Sequence, residues 1–276
     1  MPNNRSIFSS LLFVLTIIFT NSSFAELVNY ESVGDIAYGS GEYHKAYKSW
    51  TTDKSYHNSA SVNYKLAYLT SKGLGTKKDE YKAYQLYTDA ANAGHAKASY
   101  ELAQIYFQGI GIAVEPNQHY TLGMPWLIKS AEGGYSIAMH QLAKLYYAGT
   151  RIKFDERKSN VWLAKAALLE NSDAQYDLAS RYQRSATKEN GNGEEAIKWF
   201  YKSMENGCIK KCYSSIGAIY EFGSIVEQDL SKALYYYKKI AEIRSRNIEI
   251  QKAKERDIAR VENKIAEKKQ LAASKY

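Results

Sequence analysis

Apolar residues recur at three- and four-residue spacing along much of the chain, and one stretch shows the pattern whole. Between 94 and 111, Ala98, Leu102, Ile105 and Tyr106 fall on a single stripe, so the spacing predicts an amphipathic helix. Gly94 stops whatever precedes it. Gly109 and Gly111 end the helix and allow a sharp reversal, because glycine reaches positive φ without steric cost.

The same pattern is written five times. Taking Leu102 as anchor, the equivalent residues are Leu66, Leu142, Leu178 and Ile216, at spacings of 36, 40, 36 and 38. The following residue is always small: Ala67, Ala103, Ala143, Ala179 and Gly217. Four after the anchor stand Thr70, Tyr106, Tyr146, Tyr182 and Tyr220, and seven after it Gly73, Gly109, Gly149, Ser185 and Gly223. A second helix follows in each unit, with Leu86, Trp126, Trp162, Trp199 or Tyr236 as its large residue. Small pairs come a turn later at Ala90-Ala91, Ser130-Ala131 and Ala166-Ala167, then Gly94, Gly134, Glu170 and Gly207 near the helix end. Two helices per unit at this period predict an all-α solenoid.

On these residues the chain resembles the Sel-1-like repeat family, relatives of the tetratricopeptide repeat. Leu102-Ala103, Tyr106 and Gly109-Ile110-Gly111 match the first half of its pattern. Lys82-Ala83, Lys232-Ala233 and Ala196-Ile197-Lys198-Trp199 match the second. The resemblance covers 58–241 and implies a right-handed stack of helix-turn-helix units. Two units depart from it. Ser185 and Thr187 stand at the glycine positions of the fourth, and Ile225 replaces the second glycine of the fifth.

Around the repeats, three further segments are expected. Arg5, the run Leu11-Leu12-Phe13-Val14-Leu15-Thr16-Ile17-Ile18-Phe19 and Ser23-Phe24-Ala25 have the layout of a secretory leader, so 1–25 is read as a signal peptide cleaved before Glu26. The apolar run is shorter than the roughly 20 residues of a membrane span, and no integral span is expected. The segment 26–57 is an atypical capping pair, with Tyr43, Ala46 and Trp50 on one helix face. The tail 242–276 carries a narrow stripe of Ile243, Ile250, Ile258, Val261, Ile265 and Ala272, and is read as one long charged helix whose first half caps the last repeat. The longer connection 112–124 reads either as a recognition loop or as a tolerated insertion, with Pro125 in the first turn of the next helix.

Charge narrows the choice of partners. The chain has 37 Lys/Arg against 29 Asp/Glu, a formal net charge of +8. Arg5 leaves with the leader, and the tail's ten Lys/Arg against six Asp/Glu hold +4 of the remaining +7. The repeats are thus nearly balanced, which is no nucleic-acid footprint. The 25 tyrosines point instead to packing and to protein interfaces.

Chemistry is sparse. Cys208 and Cys212 are the two cysteines. In an exported chain a disulfide is expected, their Cα atoms being about 6 Å apart if both lie on a helix, with a free thiol pair as the alternative. Exported cysteine-rich members of the family carry such a pair in every repeat, whereas this chain has one. Two thiols alone do not make a metal site, and no metal or cofactor is expected. His44, His57, His95, His119 and His140 are scattered. Ser185-Ala186-Thr187-Lys188 matches the S-x-x-K of penicillin-binding enzymes, a motif of interest because the cysteine-rich relatives are associated with β-lactam hydrolysis. Its companion motifs K-T-G and S-D-N are missing from the sequence. No catalytic residue is assigned.

Stacked helix pairs offer a concave face lined by the first helices. Positions two and five after the anchor are expected to point into it: Gln104 with Phe107, Lys144 with Tyr147, Ser180 with Gln183, and Ala218 with Glu221. Phe107 and Tyr147 are the expected aromatic anchors, unless they pack on a neighbouring unit. The expectation is a monomeric, non-enzymatic, periplasmic or secreted protein that binds one protein partner. The resemblance implies an immunity protein sequestering a toxic effector, such as a type VI secretion phospholipase. A periplasmic regulator or host-interaction factor is the second reading, and a cell-wall or β-lactam hydrolase the third.

Overall fold

The computed structural model describes residues 33–53, 59–110, 115, 118–243 and 248–274. Among them there are thirteen α-helices and no strand. A first pair, α1 (Val33–Gly39) and α2 (Tyr43–Thr52), precedes five repeat pairs. These are α3 (Ala60–Lys72) with α4 (Glu80–Asn92), α5 (Ala96–Gln108) with α6 (His119–Glu132), and α7 (Ser136–Ala148) with α8 (Glu156–Leu168). Then come α9 (Ser172–Ser185) with α10 (Asn192–Glu205), and α11 (Ile209–Phe222) with α12 (Leu230–Glu242). The chain ends in α13 (Ile248–Ala273). It is an all-α solenoid of helix pairs. The leader and residues 112–114 and 116–117 of the 112–124 connection lie outside the described residues.

The chain divides into two compact units, 1–86 and 87–276. In the first, Trp50 is fully buried among Ala37, Ala46, Val62, Leu66 and Leu69. Helix α1 lies so close on that ring that a Cβ at Gly34 would stand 2.2 Å from the indole nitrogen.

In the second unit, each helix packs on its pair partner and on the helix that follows. Leu102, Leu127, Leu142, Phe200 and Ile216 are completely buried, and Leu163 is nearly so. Ala103, Ala131, Ala143 and Ala179 between them are small enough to let neighbouring helices approach. The anchors Leu66, Leu102, Leu142 and Ile216 are core as expected, while Leu178 is half-buried. Serines stitch each of three second helices to the first helix of its own pair. Ser130, Ser159 and Ser203 each donate a 2.7 Å hydrogen bond to the carbonyls of Ala96, Ala143 and Ser172 respectively.

Helix ends follow the glycines. Gly73, Gly109, Gly149 and Gly223 cap α3, α5, α7 and α11 in the left-handed conformation, with φ of 60–69°. Ser185 cannot do this cheaply. Helix α9 therefore ends in extended backbone at Ala186, and Asn190 holds the loop by donating to the Ser185 carbonyl and accepting from the Thr187 amide. Glu170 takes the positive φ of 58° that glycine supplies at the equivalent place in other units.

Three expectations change here. Pro125 lies inside α6 rather than in its first turn, because the helix begins at His119. Proline leaves the Thr121 carbonyl without its helical donor, and Thr121 is exposed to water there. Cys208 is the N-cap of α11 and not a member of the helix. The two thiols are unbridged, and burial pushes Cys212 up to about 12. The docked part of α13 is its middle, not its first half. Val261 is fully buried against Leu230, Ala233 and Tyr237, with Ile258 and Ile265 beside it, whereas Ile250 is exposed.

Candidate protein-binding face

The first helices of the second unit stand side by side, joined by contacts one repeat apart. Gln104 on α5 donates to Gln141 on α7 at 3.0 Å, and His140 on α7 meets Asp177 on α9 at 2.7 Å. Tyr176 on α9 hydrogen-bonds Ser215 on α11 at 3.2 Å. These ladders lock the register of successive units.

Between α7 and α9 the face opens into a groove of about 770 Å³, lined by Lys144, Tyr147, Asp177, Ser180, Arg181, Gln183 and Arg184. A neighbouring hollow of about 620 Å³ shares Tyr147, Arg181 and Arg184 and adds Glu156, Asn160 and Leu178. Tyr147 is 41% exposed. The Arg181 and Arg184 guanidiniums lie 4.7 and 5.8 Å from its ring centroid. Arg181 also donates to Asn160, and to the Ser159 hydroxyl at 2.8 Å. Burial lowers the Arg181 guanidinium from its usual range, and the charge of Arg184 pushes the same way.

Lys144, Tyr147, Ser180 and Gln183, expected on one face, do line one groove. Gln104 and Phe107 do not join it. Gln104 is occupied by Gln141, and Phe107 stacks on Tyr120 at 4.8 Å within its own helix pair. Gly123 makes room for that ring: a Cβ there would lie 2.5 Å from Phe107. Glu221, expected on the open face, is fully buried beneath α13.

The arginines were missed. Three residues after the anchor, the other units place Leu69, Ile105, Leu145 and Ile219, and only the fourth has a charge, Arg181. That break in an aliphatic column was the available signal.

Among the described residues, Ser185 and Lys188 of the S-x-x-K motif do not meet. Ser185 donates to the Tyr182 carbonyl, and Lys188 reaches Glu227 at 3.8 Å, so the S-x-x-K pair is spent on separate contacts. Among the described residues no cluster of three or more His, Cys, Asp or Glu is arranged to hold a metal. Nor is any of their helices long and apolar enough to cross a membrane.

The Sel1 repeat profile matches residues 60–95, 96–135, 136–171, 172–208 and 212–243. The chain belongs to the Sel1 repeat family. Its repeats are 28% identical, over 193 residues, to the chitin synthase regulator SKT5 of Saccharomyces cerevisiae, spanning 67% of this chain and 27% of that protein. Chitin synthase regulatory factor 3 of Schizosaccharomyces pombe is 27% identical over 225 residues, spanning 65% and 23%. The chain thus spans about a quarter of the length of these curated relatives. The crystal structure of a Sel1 repeat protein from Oxalobacter formigenes shares the fold. It superposes with a TM-score of 0.65 at 24% identity over 77% of this chain and 84% of that one. A protective antigen of uropathogenic Escherichia coli with the same repeat fold gives 0.50 at 21% identity, over 81% and 52%.

Proposed function

We propose that this Sel1 repeat protein acts without catalysis, as a monomer, by binding one protein partner on its first-helix face. The observation that carries the reading is the α7–α9 groove, which combines an exposed tyrosine with two arginines, residue types that dominate interface energy. In the finer form of the reading, the chain is exported after loss of 1–25 and the partner is a toxic effector held inactive. A second form, in which the partner is an enzyme or sensor under regulation, is favoured by the curated relatives, both named as regulators of a synthase.

Capture with the mature chain tests this. The expected partner is retained by the wild type at one-to-one stoichiometry, outside the cytoplasm, on a chain that begins at Glu26. Tyr147→Ala should weaken calorimetric binding by at least about 2 kcal/mol with helix content unchanged. Ser180→Trp, which fills the groove, should abolish capture. A partner that ignores both changes refutes the face. A partner toxic when produced alone, and harmless with this chain, separates sequestration from regulation.

A further inference from the structure

We infer that the α7–α9 groove receives an acidic segment of the protein partner, whose carboxylates pair with Arg184 and Lys144 while Tyr147 and Arg181 form the wall they settle against. This rests on the protein-binding reading above and adds the chemistry of what is bound.

Three cations converge on the groove, and among the described residues none of them has an ion-pair partner of its own. Arg181 spends its donors on the neutral oxygens of Ser159 and Asn160. Arg184 reaches only the Tyr147 hydroxyl, at 3.4 Å. The groove's own carboxylate, Asp177, pairs with His140 at 2.7 Å, and both it and Glu156 in the adjoining hollow act on Arg181 only from beyond ion-pair distance. Elsewhere the chain treats converging cations differently: Arg260 and Lys264 share the carboxylate of Glu221 at 2.8 Å. Two guanidiniums against one ring repel each other, and an incoming carboxylate would relieve that repulsion. It would find planar donors already placed against Tyr147, Arg181 over the ring and Arg184 at its hydroxyl, so less side-chain freedom remains to be lost. A guanidinium also offers two parallel N–H donors that match a carboxylate. The ladder contacts keep this geometry fixed, because α7 and α9 are tied through His140 and Asp177.

The probe is a fluorescein-labelled octapeptide of alternating glutamate and leucine, with the glutamine–leucine peptide as control, read by anisotropy on the full chain. The acidic peptide should bind at least about tenfold more tightly than the neutral one and weaken as salt rises. Arg184→Gln with Lys144→Gln, both exposed, should remove that preference with circular dichroism unchanged. Lys268→Gln with Lys269→Gln on α13 should not. Equal binding of the two peptides overturns the proposal, as does absence of binding, an unaffected groove variant, or a preference for inorganic phosphate or single-stranded DNA over the acidic peptide at matched ionic strength. If Ser180→Trp still abolishes capture of the protein partner in those cases, the binding face stands and only its acidic preference falls. If capture also survives Ser180→Trp, the face itself is refuted.

Discussion

Glu221 shows how much one substitution in a repeat can decide. It occupies the column where Phe107 packs and Tyr147 is open, yet its side chain is wholly buried. Arg260 donates twice to it at 2.8 Å, with Lys264 and Tyr237 completing the set at 2.8 and 2.9 Å. The Arg260 bonds foremost hold its carboxyl down at about 2, below the ordinary 4.5. A depressed folded pKa means stability that is full above the unfolded value and is lost as pH falls from about 5 towards 2. Glu221→Ala should therefore cost about 2–4 kcal/mol in urea at pH 7, at the low end for a broken buried pair because both cations are partly exposed and can rehydrate. The gap between variant and wild type should close as the pH approaches 2. A gap that is constant with pH would mean the carboxylate is not the source. This network was illegible in the sequence. Arg260 and Lys264 read as part of a solvated basic tail, and nothing in a 39-residue separation announces a contact.

At the scale of elements, propensity and punctuation were readable and docking was not. Five anchors, their small followers and four capping glycines predicted the repeat helices, because those residues act locally. Pro125 misled, since a proline favours a helix start but is tolerated inside a helix where water can serve the freed carbonyl. Phe107 misled because its partner, the space above Gly123, lies on the next helix. Helix α13 is the clearest case. Its stripe was visible, but only packing chose Val261 as the docked centre. Being 26 residues long, about 39 Å, it presents few apolar residues and depends on that centre. Val261→Asp buries a charge beneath the helix, so α13 should detach while α5–α10 remain folded. Hydrogen exchange is the check: loss of amide protection across α13, with α7 unchanged, is expected. Protection of α13 that survives the substitution would show that the Glu221 clamp alone holds it.

For the whole repeat array, the consequence of stacking is that stability is local. Each helix pair of the second unit contacts its neighbours in sequence, and the core is a chain of clusters rather than one centre. Leu142 sits in the cluster built by α5 to α9 and is completely buried. Ile216 and Phe200 belong to the next cluster, and Val261 to the last. Leu142→Ala removes three carbons from a site with no exposure and should cost about 2–5 kcal/mol locally, a large-to-small change with residual cavity. In a single-centred protein that loss would lower protection everywhere alike. Here amides of α5 to α9 should lose protection in hydrogen exchange, while those of α12 and α13 keep most of theirs. Urea unfolding should broaden, because the weakened middle opens before the end does. The binding groove lies between α7 and α9, so the same variant should also lose partner affinity without touching a groove residue. Uniform loss of protection from α5 to α13, with an unbroadened transition, would show that the repeats fold as one cooperative body and that nearest-neighbour stacking does not describe their energetics.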